Sequence, residues 1–187
     1  MFSAIPRLRP ATQISISCGL NELGTGNDVQ KTRLYIDVDG VILRRSGEQA
    51  FNGRREFEVA HRAVEFLEWA SATFDCYWLS ARSPNGSVSN IKRGFNHAIP
   101  TTRLPQQLHD TIDRIPAATW QTAKYTGIEL TMPFYWIDDM PDPASCAKLE
   151  QRGLLDRLII CNVDAHPDDL TRVWALLQSS IETTEAN

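Results

Sequence analysis

The sequence predicts an α/β domain in which a parallel sheet has helices on both faces, the three-layer arrangement of Rossmann-like folds. Two observations predict it. Short apolar segments with strand character alternate along the chain with segments whose apolar residues recur at helical spacing. Strands that alternate with helices form parallel sheets covered on both faces. The predicted strands span residues 34–38, 74–79, 134–137 and 158–162.

Helices are predicted between and after these strands. In segment 57–71 apolar residues recur every three or four positions, with charged residues between them. Segments 87–97 and 117–125 are shorter candidates, and segment 168–181 has the amphipathic pattern of a terminal helix. The region 100–116 has no clear pattern and is predicted to be irregular.

A β-hairpin is predicted shortly after the first strand. The pair Asn52-Gly53 is a typical two-residue hairpin turn, and residues 49–51 and 55–58 flank it as short strands. This hairpin and one helix occupy most of the chain between the first two sheet strands, so we expect no large cap domain there.

The 187-residue chain has the composition of one soluble globular domain, with 42% hydrophobic and 22% charged residues. Its net charge of −4 and its pI of about 5.6 disfavour a general polyanion-binding surface. No apolar segment approaches the ~20 residues that span a bilayer, and the N-terminus lacks the apolar core of a secretory signal. We therefore expect a cytoplasmic protein with no membrane partner.

Three regions are predicted from composition: an N-terminal extension (1–31) that is rich in Pro and Gly and expected to be flexible, one domain (32–181), and a C-terminal tail (182–187). The four cysteines have neither zinc-site spacing nor the pattern of a disulfide framework. Cys76 and Cys161 lie within apolar strand segments, so we expect both thiols to be buried.

Acidic residues follow two of the predicted strands at the point where each ends. Asp37 and Asp39 end the first strand, and Asp138 and Asp139 follow the third. Ligands of parallel sheets bind beyond the carboxyl ends of the strands, so we expect these carboxylates to meet. Gathered carboxylates repel each other unless a cation neutralises them, and Mg²⁺ paired with a phosphate substrate is the usual partner. Gly40 permits the tight turn that brings the acids close to a ligand.

Two further polar residues occupy comparable positions. Ser80 follows the second predicted strand, and Lys124 lies in the short helix predicted at 117–125. A hydroxyl and an ammonium group at these places can bind a phosphoryl group and offset its charge. Taken alone, each residue is weak evidence for a phosphate-binding site, because serine is common in loops and most lysines are solvated.

Taken together, these segments resemble the four motifs of the haloacid dehalogenase-like (HAD) superfamily, over about residues 33–177. An apolar strand followed by D-x-D-G, an apolar strand ending in Ser or Thr, a helix-borne Lys and a strand ending in paired acids occur in that order. The matching segments are Tyr35-Ile-Asp37-Val-Asp39-Gly40-Val41, Tyr77-Trp-Leu-Ser80, Lys124 and Tyr135-Trp-Ile-Asp138-Asp139.

The resemblance implies a Mg²⁺-dependent phosphatase. Asp37 would be the nucleophile that forms an aspartyl-phosphate, which water then hydrolyses. Asp39 would protonate the leaving oxygen and then activate the water. The metal would be held by Asp37, by the backbone carbonyl of Asp39 and by Asp138, with Asp139 bound directly or through water. Which acid of the pair touches the metal directly is left open by the sequence.

The resemblance also assigns the phosphate-binding residues. Ser80 and Lys124 would bind the transferring group. Gly40, in the loop after the first strand, and Arg82, two residues after Ser80, are also predicted to bind the phosphate. Retention of both Asp37 and the acid two residues later favours an active enzyme. The alternative is a catalytically inactive HAD-like binding or regulatory module.

A closer resemblance is to small capless bacterial members that form the HAD domain of composite RNA-repair proteins. The corresponding segments are Trp78-Leu-Ser-Ala-Arg82, Trp136-Ile-Asp-Asp139 and Val163-Asp-Ala-His-Pro-Asp-Asp-Leu-Thr171. The chain departs from that pattern in having Arg82 after the Ser and Asp169 in place of a Gly before Leu170-Thr171. A capless site would be open, which favours a phosphate on a macromolecule, either a nucleic acid end or a phosphoprotein.

Four arginines of the predicted hairpin border the expected site. They either contact a polynucleotide backbone or form an ordinary solvated hairpin. These residues are Arg44, Arg45, Arg54 and Arg55.

Overall fold

The computed structural model describes residues 31–49, 55–98 and 106–185. Six strands and five helices lie in these ranges, with short 3₁₀ turns at Lys124–Gly127 and Leu155–Arg157. The strands are β1 (Arg33–Ile36), β2 (Leu43–Gln49), β3 (Arg55–Val59), β4 (Asp75–Trp78), β5 (Phe134–Asp138) and β6 (Leu158–Ile160). The helices are α1 (Ala63–Thr73), α2 (Val88–Ala98), α3 (Gln106–Arg114), α4 (Pro143–Gln151) and α5 (Asp169–Glu185).

Four of the strands form one parallel sheet with the order β4-β1-β5-β6. In the register of this sheet, Tyr35 of β1 lies opposite Tyr77 of β4 and Trp136 of β5. The carboxyl ends of β1, β4 and β5 therefore lie side by side at one edge. The predicted fold class, an α/β domain with a parallel sheet of the general Rossmann-like kind, is confirmed.

The sheet is covered on both faces. Side chains of β1 alternate, so that Leu34 and Ile36 belong to one buried cluster and Tyr35 to another. Helices α1, α2, α3 and α5 supply apolar side chains to the first cluster, whereas α4 supplies Leu149 to the second. The near-continuous burial of β1 is what a strand between two helical layers requires.

Segment 100–116, predicted to be irregular, contains a helix. Leu108 and Ile112 of α3 lie about one turn apart, and both are fully buried against the core. Polar residues surround this pair in the sequence, which made the helical spacing of the two apolar residues easy to miss.

The predicted bounds of two other helices were wrong. Residues 57–59 belong to β3, because they pair with β2 in an antiparallel ladder, and α1 begins at Ala63. Segment 117–125 is not a regular helix: the chain there runs beside β4, where the Trp78 carbonyl accepts a hydrogen bond from Ala118 N at 2.8 Å. A 3₁₀ turn follows at Lys124–Gly127.

Helix α4 was not predicted, although its start has a recognisable sequence signal. The Asp142 carboxylate accepts a hydrogen bond from Ser145 N at 2.9 Å, and Pro143 occupies the first turn. An Asp followed by Pro is a common helix start. Helix α5, predicted to end at 181, continues to Glu185, and no Gly or Pro interrupts the chain there.

The hairpin was predicted in the right place but is longer on its first strand. β2 begins at Leu43, which lies opposite Val59 of β3. The predicted turn at Asn52-Gly53 lies outside the described residues, as does the extension 1–31 apart from Lys31.

Two remaining expectations concern cysteines and membranes. Cys76 and Cys161 are buried as predicted, and burial raises the pKa of each thiol to about 12. In the described part of the chain, none of the helices has the length and apolar character needed to cross a membrane.

Candidate active site

The turn after β1 presents two aspartates beyond the edge of the sheet. Asp37 N donates to the Ile137 carbonyl at 3.0 Å, so the sheet ladder still holds this residue. Beyond it the chain turns sharply, with the Val38 carbonyl accepting hydrogen bonds from Ile42 N and Leu43 N at 2.9 and 2.8 Å. Asp37 is thereby placed on the rigid end of a strand.

Gly40 is required by this turn for two reasons. Its φ of +73° lies in the left-handed region, which favours glycine. A Cβ atom at this position would also lie 2.4 Å from Cγ of Asp139, far inside van der Waals contact. The missing side chain therefore lets the Asp139 carboxylate approach the turn that carries Asp37.

Lys124 brings the two strand ends together. Its ammonium group donates to Oδ2 of Asp37 and to Oδ2 of Asp138, each at 2.7 Å. All three side chains are buried, with 8% of Lys124, 5% of Asp37 and none of Asp138 exposed. A lysine so buried is uncommon unless it is paired, and here one cation serves two carboxylates.

The backbone of Lys124 is held by the start of α4. Lys124 N donates to Oδ2 of Asp142 at 3.1 Å, and Ser145 Oγ donates to the same oxygen at 2.6 Å. Ser145 Oγ in turn accepts a hydrogen bond from Tyr125 N at 2.9 Å. The carboxylate that caps α4 therefore also fixes the turn that carries the buried lysine.

Asp138 is the most enclosed of the acids. Its Oδ2 accepts a second hydrogen bond from the Trp136 indole at 3.2 Å, and its Oδ1 accepts one from Met140 N at 3.0 Å. Such bonds hold the carboxylate in one orientation, since each of its oxygens has a fixed donor.

Burial shifts the proton affinity of the acids in this cluster. It raises the pKa of Asp37 to about 6, although the nearby Lys124 charge opposes the shift. Burial also raises the pKa values of Asp138 and Asp139, in the latter case with help from the Asp37 charge. Burial alone would lower the pKa of Lys124, but the two carboxylate charges outweigh it and raise that pKa.

Three of the acids form a group that can hold a metal ion. One carboxylate oxygen from each of Asp37, Asp138 and Asp139 lies within 4.8 Å of the other two. An all-oxygen set suits a hard divalent cation. The four predicted acids carry four negative charges, against two positive charges on Lys124 and Arg82. The formal net charge of these six side chains is therefore −2, which one divalent cation neutralises.

Asp39 is engaged differently from the other acids. Arg82 donates to both of its oxygens, from Nε at 2.8 Å and from Nη2 at 2.6 Å. This is a bidentate arginine–carboxylate pair, the strongest common form of such an interaction. Arg82, which was predicted to bind phosphate, has its guanidinium on the carboxylate of Asp39.

Ser80 lies just beyond the end of β4 and is almost fully buried. Its hydroxyl accepts a hydrogen bond from Arg82 N at 3.3 Å, and its carbonyl accepts one from the Trp120 indole at 3.2 Å. The loop after β4 is therefore tied both to itself and to the segment that leads to Lys124.

A cavity of about 360 Å³ opens over the cluster. Of the predicted site residues, Asp37, Asp39, Lys124 and Asp139 line it, whereas Asp138 lies beneath and Ser80, Gly40 and Arg82 do not contribute to its wall. Arg45, which was predicted to border the site, also lines the cavity. The wall residues that sequence reasoning missed are Ala81, Trp120, Thr122, Ala123, Met140 and Asp142.

The hairpin arginines differ in their surroundings. Arg45 lines the cavity and pairs with Asp164, its guanidinium 3.4 Å from Oδ2 and its backbone N 2.6 Å from Oδ1. Arg44 pairs with Glu58 across the hairpin. Arg54 and the side chain of Arg55 lie outside the described part of the structure.

No protein-family model matches the chain, and no curated protein matches it.

Proposed function

We propose that this chain is a Mg²⁺-dependent phosphatase of the HAD-like type, which hydrolyses a phosphate monoester through an aspartyl-phosphate at Asp37. The observation that supports this most strongly is the buried lysine shared by two strand-end carboxylates, Asp37 and Asp138, at 2.7 Å each. A nucleophile next to a fixed cation, with an acidic metal site beside it, suits transfer of an anionic phosphoryl group.

In the first half of the reaction, a carboxylate oxygen of Asp37 attacks phosphorus. The bond between phosphorus and the leaving oxygen breaks, and its electron pair goes to that oxygen, which takes a proton from the Asp39 carboxyl group. In the second half, water attacks the aspartyl-phosphate and gives its proton to Asp39. The bond from phosphorus to Asp37 breaks, which releases inorganic phosphate and restores the carboxylate.

The side chains of Asp37, Asp138 and Asp139 are suited to hold the metal ion. When bound, Mg²⁺ would neutralise negative charge on the phosphoryl oxygens, which is the chemistry that a carboxylate nucleophile needs. Lys124 supplies a second positive charge at the same place, and its position is fixed by Asp142. Burial of Asp37 and Lys124 strengthens these interactions, since water screens them less.

We further propose that the substrate phosphate belongs to a macromolecule. The chain between Asp39 and Ser80 is occupied largely by the β2–β3 hairpin and α1, and the described part between Ser80 and Lys124 by α2 and α3. The cavity wall includes Met140, a residue that is 79% exposed, so this side of the site is open. An open site admits a phosphate at a nucleic acid end or on a protein surface.

The test of the chemistry is hydrolysis of p-nitrophenyl phosphate with and without Mg²⁺. Wild-type protein should release p-nitrophenol only with the metal, and Asp37→Asn should abolish release. Asp75→Asn makes the same chemical change at the opposite end of the neighbouring strand β4, and activity should persist. Activity that survives Asp37→Asn would rule out the nucleophile. Wild-type protein that is inactive with Mg²⁺ would favour the inactive binding module instead.

The test of substrate class is a panel assayed with the same enzyme. It contains a 3′- and a 5′-phosphorylated oligonucleotide, a phosphopeptide, and a set of sugar phosphates and nucleotides. We expect a macromolecular substrate to give the highest kcat/KM. Turnover of the small molecules alone would contradict the open-site reasoning while leaving the chemistry intact.

A further inference from the structure

The loop after β4 places an arginine against the acid that we assign to proton transfer. Nε and Nη2 of Arg82 both donate to the carboxylate of Asp39, at 2.8 and 2.6 Å. Asp39 lines the cavity and Arg82 does not contribute to its wall. The guanidinium therefore binds the carboxylate without forming part of the cavity wall where a substrate would bind.

The surroundings of Arg82 hold its guanidinium in this position. The ring of Phe57 lies beneath it, with its centroid 5.5 Å from the guanidinium carbon. Its backbone is tied to Ser80 through the hydrogen bond from Arg82 N to Oγ. Only about a fifth of the side chain is exposed, so its charge is partly shielded from water.

Gly94 of α2 makes room for this arginine. A Cβ atom at position 94 would lie 2.7 Å from Cδ of Arg82 and 2.8 Å from its Nη1. A glycine inside a helix costs about 1 kcal/mol relative to alanine. The helix therefore has a poor helix-forming residue at a place where the arginine side chain passes.

From these contacts we infer that Arg82 is a positioning residue, which holds the Asp39 carboxyl group in place for proton transfer and does not bind the substrate phosphate. The inference rests on the proposed phosphatase function. Asp39 stands in a surface turn and has two rotatable side-chain bonds. Proton transfer needs its oxygen within about 2.6–3.2 Å of the leaving oxygen. The bidentate ion pair with Arg82 restricts rotation about these bonds and so keeps the Asp39 oxygen at the distance that proton transfer needs.

This role predicts a dependence on the leaving group. The oxygen of p-nitrophenol leaves readily as an anion, so breaking that ester needs little help from an acid. An alkyl oxygen leaves poorly and needs the proton from Asp39 as the phosphorus–oxygen bond breaks. The ratio kcat/KM reports only the steps up to release of the leaving group, so the later hydrolysis of the aspartyl-phosphate does not obscure it.

The experiment measures kcat/KM for p-nitrophenyl phosphate and for a simple alkyl phosphate, with Mg²⁺ present, in wild type and variants. Arg82→Ala should lower the value for the alkyl ester by about 10²-fold, because misplacing a proton donor by about 1 Å has effects of that size. The value for the aryl ester should fall at least tenfold less. Added guanidinium should restore part of the alkyl activity.

A second variant guards against misfolding of Arg82→Ala. Gly94→Ala adds one methyl group that displaces Cδ and Nη1 of Arg82 without touching the cavity. It should reproduce the selective loss on the alkyl ester, while circular dichroism and the Tm remain close to wild type. Arg93→Ala, which removes the neighbouring exposed arginine of α2, is the matched control and should leave both values unchanged.

Equal losses on the two esters would overturn the inference, because a residue that binds the phosphoryl group or only supports the fold affects both alike. That result would leave the proposed phosphatase function standing. Wild-type protein that hydrolyses neither ester would instead refute the proposed function, and the inference with it.

Discussion

Lys124→Met should destabilise the metal-free protein strongly near neutral pH. The variant keeps most of the apolar length of the side chain and removes the charge. Asp37 and Asp138 would then lie buried beside each other, with no cation between them. Each loses a hydrogen bond of 2.7 Å, and their mutual repulsion is no longer offset.

The size of the effect follows from burial. Removing one partner of a buried ion pair typically costs about 3–5 kcal/mol, because it leaves an uncompensated charge out of water. With 5% of Asp37 and none of Asp138 exposed, we expect a loss of about 3 kcal/mol or more at pH 7.5. Burial already raises the pKa of Asp37 to about 6 and also raises that of Asp138. Asp37 can therefore take up a proton at pH 5, and the loss should be smaller there.

The assay is urea denaturation at pH 7.5 and pH 5. The slope of the unfolding free energy against urea concentration is compared between the variants and wild type as a check on two-state behaviour. Lys92→Met is the matched control. Lys92 pairs with Asp113 at 2.6 Å, but the two side chains are 40% and 49% exposed. Exposed pairs of this kind contribute about 0–1 kcal/mol. Equal free energies of unfolding for Lys124→Met and wild type at pH 7.5, or equal losses for the two lysines, would refute the reasoning.

Three further outcomes are expected. Gly40→Ala should weaken Mg²⁺ binding at least tenfold by calorimetry, since its Cβ would lie 2.4 Å from the Asp139 carboxylate; unchanged affinity would show that the metal does not need that acid. Mg²⁺ affinity should fall as the pH drops through about 6, because protons then compete with the metal for Asp37, whose burial raises its pKa to that value. An affinity that is flat from pH 8 to pH 5 would contradict this. Asp142→Ala should lower the free energy of unfolding by about 1–2 kcal/mol through loss of the α4 cap, and should raise KM because Lys124 loses its backbone anchor. Asp142→Asn, which keeps a capping oxygen, should lose less on both measures.

Much of the site could be placed from the sequence because parallel strands bring their carboxyl ends together. Asp37, Asp138 and Asp139 end or follow apolar strands, and the structure gathers them as that rule requires. Lys124, like Ser80, was a weak assignment, since a solitary lysine in a short segment has no distinctive pattern. Its position depends on contacts with Asp142, which no periodicity reveals.

The remaining features depend on tertiary contacts that local patterns do not record. Arg82 and Gly94 come into close contact only when α2 packs beside the loop after β4. Trp120 reaches the cavity because residues 117–119 pair with β4 and with the loop after it and do not form a helix. Helix α3 has two buried apolar residues, Leu108 and Ile112, in an otherwise polar sequence. The packing of these two residues against the core, and not a local pattern, stabilises the helix.

Direct detection of the aspartyl-phosphate tests the central claim most directly. Wild-type protein and Asp39→Asn, in which release of the phosphate should be slow, are mixed with Mg²⁺ and a phosphate ester and quenched in acid within milliseconds to seconds. Peptide mass spectrometry should find a phosphoryl group on Asp37 that hydroxylamine removes, with more of it in Asp39→Asn. Phosphate release that proceeds with no phosphoryl group on Asp37 at any time would contradict the mechanism.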